Sequence, residues 1–353
     1  MHDEAALQEM RTRVVLHADR VAHPSSMEFP GNFPGEDLSW NLEEFKKNFR
    51  IVVGFIGKDD MEFDMIGVDA AIANAFRRIL IGEVPTMAIE KVFVLNNTSI
   101  MHDEILAQRL GLIPIKADPR LFTFRRGAND DPTDLNTLVF KLRVQCTKNP
   151  DALPSAVHPA DKYINSNVLS SHLQWDPQGE QVERFANDPC RPVIDDILIT
   201  KMRPGQEIDV ELHCQKGIGK EHAKWSPVAT ASYRLLPDIQ ILKPITGESA
   251  KRFQKCFPPG VVAVKPNAAG QLEATIANPR KDTVSREVLR HAEFEDKVRL
   301  TRVRDHFIFS IESTGILPPQ ELFGEAAKIL INKCNVVKAA LHASGALVAP
   351  QEI

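Results

Sequence analysis

The sequence has 353 residues, 43% hydrophobic and 25% charged, which is enough for a substantial core and for two or three domains. Its 43 basic and 47 acidic side chains leave a formal charge of −4, so the whole-chain balance offers no attraction to nucleic acid or to an anionic membrane. No apolar run approaches the ~18 residues of a membrane span and no basic segment precedes an apolar one at the N-terminus, so an intracellular protein is expected.

Along residues 1–44, Pro24, Pro30 and Pro34 with Gly31 and Gly35 between them predict an extended arm held by surfaces outside itself. Ile51 and Val53 then alternate as in a strand, Gly57 to Asp60 offers a turn, and Phe63 and Met65 alternate with Glu62 and Asp64 on the return, giving a hairpin. A helix follows, with Asp69 as its cap and Val68, Ile72, Ala75, Phe76, Ile79 and Leu80 at helical spacing, stopped by Gly82 and Pro85. Arg77 and Arg78 lie at the edge of that apolar stripe.

Met87 to Leu95 reads as a strand covered on both faces. A second helix is predicted from near Ser99 or His102, where Asp103 and Glu104 suit the positive end of the dipole, with Ile105, Leu106 and Leu110 directed inward. Gly111 is placed for a left-handed closing residue, Leu112 for the hydrophobic contact after it, and Pro114 prevents continuation.

Beyond Asp118, turn-rich stretches interrupt short strands such as Leu138 to Cys146 and Glu207 to Cys214. A loop carrying Lys220, His222 and Lys224 leads through Trp225 to a strand over Val228 to Leu236. Phe307, Phe309 and Ile311 alternate, and Gly315, Pro318 and Pro319 announce the longest helix, Gln320 to Ala343, about 36 Å at 1.5 Å per residue. Its residues Phe323, Ala327, Leu330, Cys334, Val337 and Leu341 form a heptad-like seam beside a second stripe of Leu322, Ala326, Ile329, Val336 and Ala340. So wide an apolar face fits either a helix buried within one chain or one shared with a partner.

Chemistry-bearing groups are sparse. Cys146, Cys190, Cys214, Cys256 and Cys334 are scattered, the nearest pair 24 residues apart, with no CxxC, so no disulfide framework, structural metal or other cofactor is expected. His102 beside Asp103, His213 beside Cys214 and His222 beside Glu221 lack a nucleophile motif or ligand spacing and read as solvated or capping residues. Arg286, Arg290, Arg299, Arg302 and Arg304 alternate with Glu287, Glu293, Glu295, Asp296 and Asp305, which favours a mixed ionic surface over a nucleic-acid site.

The stretches NAFRRILIGEVPT (Asn74 to Thr86) and DEILAQRLGLIPI (Asp103 to Ile115) resemble the paired signatures of the alpha-type subunits of cellular RNA polymerases. GIGKEHAKWSPVATASYRLLP (Gly217 to Pro237) resembles the insert domain of the eukaryotic and archaeal members, and FIFSIESTG (Phe307 to Gly315) with the helix after it resembles the closing half of their dimerisation domain. The resemblance implies an α+β fold with a discontinuous dimerisation domain, 45–90 and 285–345, made of a sheet and long helices, a strand-rich insert domain over 91–284, and the arm over 1–44. It implies a non-catalytic scaffold that pairs with a small alpha-like subunit through Phe76, Ile79, Leu80, Phe323, Ala327, Leu330, Cys334, Val337 and Leu341. Arg77 and Arg78 would dock the second-largest, beta-like subunit, with the largest subunit also a partner and with no catalytic, metal or sequence-specific nucleic-acid site. The chain lacks the clustered insert cysteines of polymerase II and many archaeal members, so it looks most like the branch shared by polymerases I and III. Nuclear and nucleolar work on rRNA, 5S rRNA and tRNA genes would follow. A divergent polymerase II member or a cluster-free archaeal one is the alternative.

Overall fold

The computed structural model describes residues 4–23, 40–125, 127, 130–153, 155 and 157–344. The prolines and glycines between 24 and 35 that suggest an extended arm lie outside them. The elements that matter below are β1 (Arg13–Leu16), β2 (Val21–Ala22), β3 (Arg50–Ile56), β4 (Asp60–Ile66), α1 (Ala70–Gly82), β5 (Pro85–Asn97), α2 (Asp103–Gly111), β6 (Thr137–Gln145), β7 (Gln174–Trp175), β8 (Glu207–Ile218), β9 (Val228–Ile241), α3 (Glu248–Lys255), β10 (Val298–Ser313) and α4 (Pro319–Ala343). This α+β chain divides into two compact units, one of residues 1–55, 62–74 and 232–310, the other of 56–61, 75–231 and 311–353.

The first unit is built on a sheet in the order β2-β1-β10-β4-β3, with β9 also paired to β10. Strand alternation buries Phe63 and Met65, and Phe63 stacks on Phe309 with ring centroids 5.1 Å apart. Ile308 is buried as well as its neighbours Phe307 and Phe309, so both faces of β10 are covered there. Gly67 turns the chain from β4 toward α1 at φ +76°, where a Cβ would come within 2.5 Å of the Asn48 carbonyl oxygen, so only glycine fits. Asp69 caps α1 as predicted, its Oδ1 accepting from the Ala71 N–H at 2.8 Å. Around α3 a second cluster gathers Phe253, Phe257, Val261 and Phe294.

Part of the predicted arm belongs to this unit. Val14, Val15 and Leu16 are buried, and β1 pairs antiparallel with β10 in the register Val14 to Arg302. Arginines of the later chain hold it: Arg286 Nη1 donates to the His17 carbonyl at 3.1 Å, Arg304 Nη2 to the His23 carbonyl at 2.6 Å, and Arg299 pairs with Glu9. Much of the mixed ionic surface is therefore an internal fastening.

The second unit contains the antiparallel sheet β7-β6-β8-β5 with α2 over it, around a core that includes Leu106, Leu110, Phe140, Leu142 and Leu212. The prediction that β5 is covered on both faces holds only for its first half. Thr86 to Ile89 are buried, whereas Phe93, Val94 and Leu95 are exposed. The register explains the change, because Glu90 and Leu95 are each skipped opposite β8, and two bulges on one strand reset its alternation. Lys224 secures the first bulge by donating to the Ile89 carbonyl at 2.9 Å and pairing with Glu90.

Three details of α2 depart from expectation. Ile105 is exposed, since the helical turn that buries Leu106 and Leu110 leaves its neighbour outside. Gly111 is a helical residue followed by Leu112 at φ −86°, so no left-handed closure forms, and Leu112 is exposed. A Cβ at Gly111 would lie 3.4 Å from the Ile89 carbonyl oxygen, an ordinary contact.

Candidate functional site

Two helical surfaces carry the residues predicted to meet other chains. On α1, Ile79 and Leu80 are 2% and 0% exposed and belong to the chain's own core, which leaves them no surface for a partner. Phe76 and Arg77 are half-buried and Arg78 is exposed. Phe76 stacks on Phe323 of α4, centroids 5.0 Å apart and rings inclined by 23°.

Helix α4 spans 25 residues, with Pro319 in its first turn. Its beginning is anchored, since Leu322 and Ala326 are fully buried. Phe323, Ala327 and Leu330 of the seam are half-buried beside them. Arg120 Nη1 meets Glu321 at 2.9 Å, and the same guanidinium forks onto Asp118. Burial alone would raise the Asp118 carboxyl, but the hydrogen bonds from Arg120 outweigh it and hold that carboxyl below its ordinary value.

From Ile331 to Ser344 every residue is exposed. Ile331 is 60%, Val336 61% and Val337 58% exposed, with Leu341 and Cys334 exposed beside them. Among the described residues, the ion pair of Lys333 with Glu83 ties this half to the rest of the chain. Thirteen helical residues, Ile331 to Ala343, surrounded by water gain little from propensity alone, and in proteins such helices are stabilised by tertiary burial of an apolar face. Both predicted stripes thus run from a covered first half, where Leu322 and Ala326 are buried, into an uncovered second half that holds Cys334, Val336, Val337 and Leu341.

The other candidate groups take structural places. His213 Nε2 meets Glu211 at 2.9 Å and its ring lies against Phe93, while His222 Nδ1 accepts from the Lys224 N–H. Cys190 and Cys214 lie in the sheet core, where burial pushes the Cys190 thiol up to about 12 and raises Cys214 as well. Among the described residues no three His, Cys, Asp or Glu side chains gather as a metal site. Sequence reasoning missed the exposed apolar edge strand β3, where Ile51, Val52, Val53 and Phe55 are all uncovered; its unbroken apolar run was the available signal.

A half-anchored apolar helix on a sheet-based unit is what a family built for pairing requires, and the family model of the RNA polymerase Rpb3/Rpb11 dimerisation domain matches residues 62–334. The chain belongs to this family. Within the Rpb3/Rpb11 family it is 56% identical over 329 residues to "DNA-directed RNA polymerases I and III subunit RPAC1" of Bos taurus, covering 93% of this chain and 95% of the relative. With the Saccharomyces cerevisiae protein of the same name it shares 49% over 332 residues, 93% of this chain and 98% of the relative. With "DNA-directed RNA polymerase II subunit rpb3" of Dictyostelium discoideum it shares 33% over 305 residues, 84% and 96% of the two chains.

Proposed function

We propose that this chain is a non-catalytic scaffold subunit of DNA-directed RNA polymerases I and III. It pairs with a small alpha-like subunit and presents the pair to the second-largest and largest subunits, in the nucleus and nucleolus, for synthesis of rRNA, 5S rRNA and tRNA. In this reading 45–90 and 285–345 form the dimerisation domain and 91–284 the insert. The observation that carries it is the uncovered half of α4: Ile331, Val336, Val337 and Leu341 are exposed together, and each contributes about 1.5–3 kcal/mol when buried. Phe323, Ala327, Leu330 and Cys334 continue that seam toward Phe76. The assignment to polymerases I and III rests on identities of 49–56% with relatives bearing that name, against 33% with a polymerase II relative.

Arg77 and Arg78 dock the beta-like subunit through forked hydrogen bonds to carboxylates. The test is affinity purification of the tagged chain from its own cells at moderate salt, with mass spectrometry of what it retains. Recovery of a small alpha-like subunit with the two largest subunits of both polymerases is the expected result, and recovery of polymerase II subunits alone would overturn the assignment. The double variant Arg77→Ala, Arg78→Ala should keep the small partner and lose the beta-like subunit. Loss of the small partner instead would mean that the two faces have been assigned the wrong way round.

A further inference from the structure

In the first unit, a cleft of about 740 Å³ opens beside β9 and β10, lined among others by Arg234, Leu235, Pro237, Lys281, Val284 and Arg302. Arg280 on its wall is already satisfied, with Nη2 2.8 Å from Glu62 and Nη1 2.8 Å from Asp64. The other cations are not. Among the described residues no hydrogen bond or ion pair reaches the side chain of Arg234, Lys281 or Arg302, and the Arg302 Nε–H is sealed from water with no acceptor. A buried N–H donor left without an acceptor is costly.

The nearby carboxyl does not solve the problem. Asp282 is buried, and burial raises its carboxyl despite the backbone N–H groups of Thr283 and Val284 and the nearby charges of Arg302 and Arg234. Arg234 and Arg286 add like charge around Arg302. The backbone here is also strained: Val284 and Arg286 sit at φ 62° and 56°, and a β-branched residue in that region is an outlier of the kind that persists at ligand clamps.

We infer that this cleft receives a carboxylate from an acidic, apolar-flanked segment of another polymerase polypeptide, clasped by Arg302 and Arg234. Charge complementarity selects the occupant. A single carboxylate matches the fork of one guanidinium, and Leu235, Pro237 and Val284 give apolar flanking residues a surface. A phosphate dianion fits less well, since Glu62 and Asp282 also line the cleft and no glycine-rich turn directs backbone N–H groups into it. The inference rests on the chain's being a polymerase subunit, but it involves a different surface from the α4 seam.

The test places photoreactive p-benzoylphenylalanine at position 235 of the tagged chain, purifies the assembled polymerase, irradiates it and maps the cross-link by mass spectrometry. A cross-link to one other subunit, within about three residues of an Asp, a Glu or a C-terminal carboxylate, is the expected result. No cross-link, one to RNA, or one to a segment without a carboxylate would overturn the inference. Arg234→Glu, at an exposed position, should weaken retention of that subunit about thirtyfold or more, with recovery when the partner's carboxylate is replaced by lysine. Unchanged retention would overturn it too. The small alpha-like subunit should stay bound to Arg234→Glu, so failure here is distinguishable from failure of the pairing seam. In the free chain Arg302→Met should unfold at the same or a higher temperature, because it removes a half-buried cation whose Nε–H has no acceptor; a lower one would make Arg302 a structural residue and sink the proposal.

Discussion

The two halves of α4 share a composition and differ in company. Over Pro319 to Leu330, Leu322 and Ala326 disappear into the chain, Phe323 lies on Phe76, and Arg120 ties Glu321 to Asp118. Beyond Leu330 an equally apolar helix continues with no cover. Apolar periodicity therefore reports that a face will be buried, without reporting by whom. In this chain the cover stops part-way along one helix.

The contrast can be broken most strongly at Leu322. Leu322→Ala should cost the free chain about 2–5 kcal/mol, read from denaturant unfolding, because the residue is closed in on all sides and leaves a cavity. A loss below about 1 kcal/mol would show that the first half is not anchored. The opposite signature is expected at Val337. Val337→Glu should leave unfolding of the free chain within about 0.5 kcal/mol of the parent and weaken pairing with the small alpha-like subunit by about 2 kcal/mol or more, measured by titration calorimetry. Unaltered pairing would move the interface off this half.

The smallest effect belongs to the ionic fastening of the first half. Arg120→Ala should lower stability by about 0.5–1 kcal/mol, since the network is partly exposed and screened. Because Asp118 is held below its ordinary value of 3.8, its contribution is complete above that pH and is lost as pH falls through the lowered pKa. Thermal unfolding of parent and variant should therefore converge on acidification below pH 3.8, and a gap that persisted there would assign the effect to packing of the arginine stem.

Where one residue made the decision, the fold was legible. Asp69 announced the start of α1 and Pro318 with Pro319 the start of α4, because caps and prolines act through local backbone chemistry. The alternation of Phe63 with Met65 and of Phe307 with Phe309 named the sheet core. Ile79 and Leu80 were misassigned to a partner, since a stripe on one helix is the same whether the chain or a neighbour covers it. The faces of β5 were misread because the bulges at Glu90 and Leu95 come from pairing with β8, more than a hundred residues away. The strand Arg13–Leu16 was hidden by its shortness, and the isolation of the Arg302 Nε–H depends on where β9 and residues 278–284, distant in sequence, come to rest.

The bulges on β5 have one more effect. β5 is the edge of its sheet and carries Phe93, Val94 and Leu95 in the open, a composition that invites a second chain to add itself as a strand and start an aggregate. Between Glu90 and Leu95 only four residues, Lys91 to Val94, stay in step, and one of them is charged. An intruding strand would lose register within about 13 Å in either direction. A subunit that must wait in a crowded cell for its assembly partners can thus leave this edge uncovered without polymerising through it.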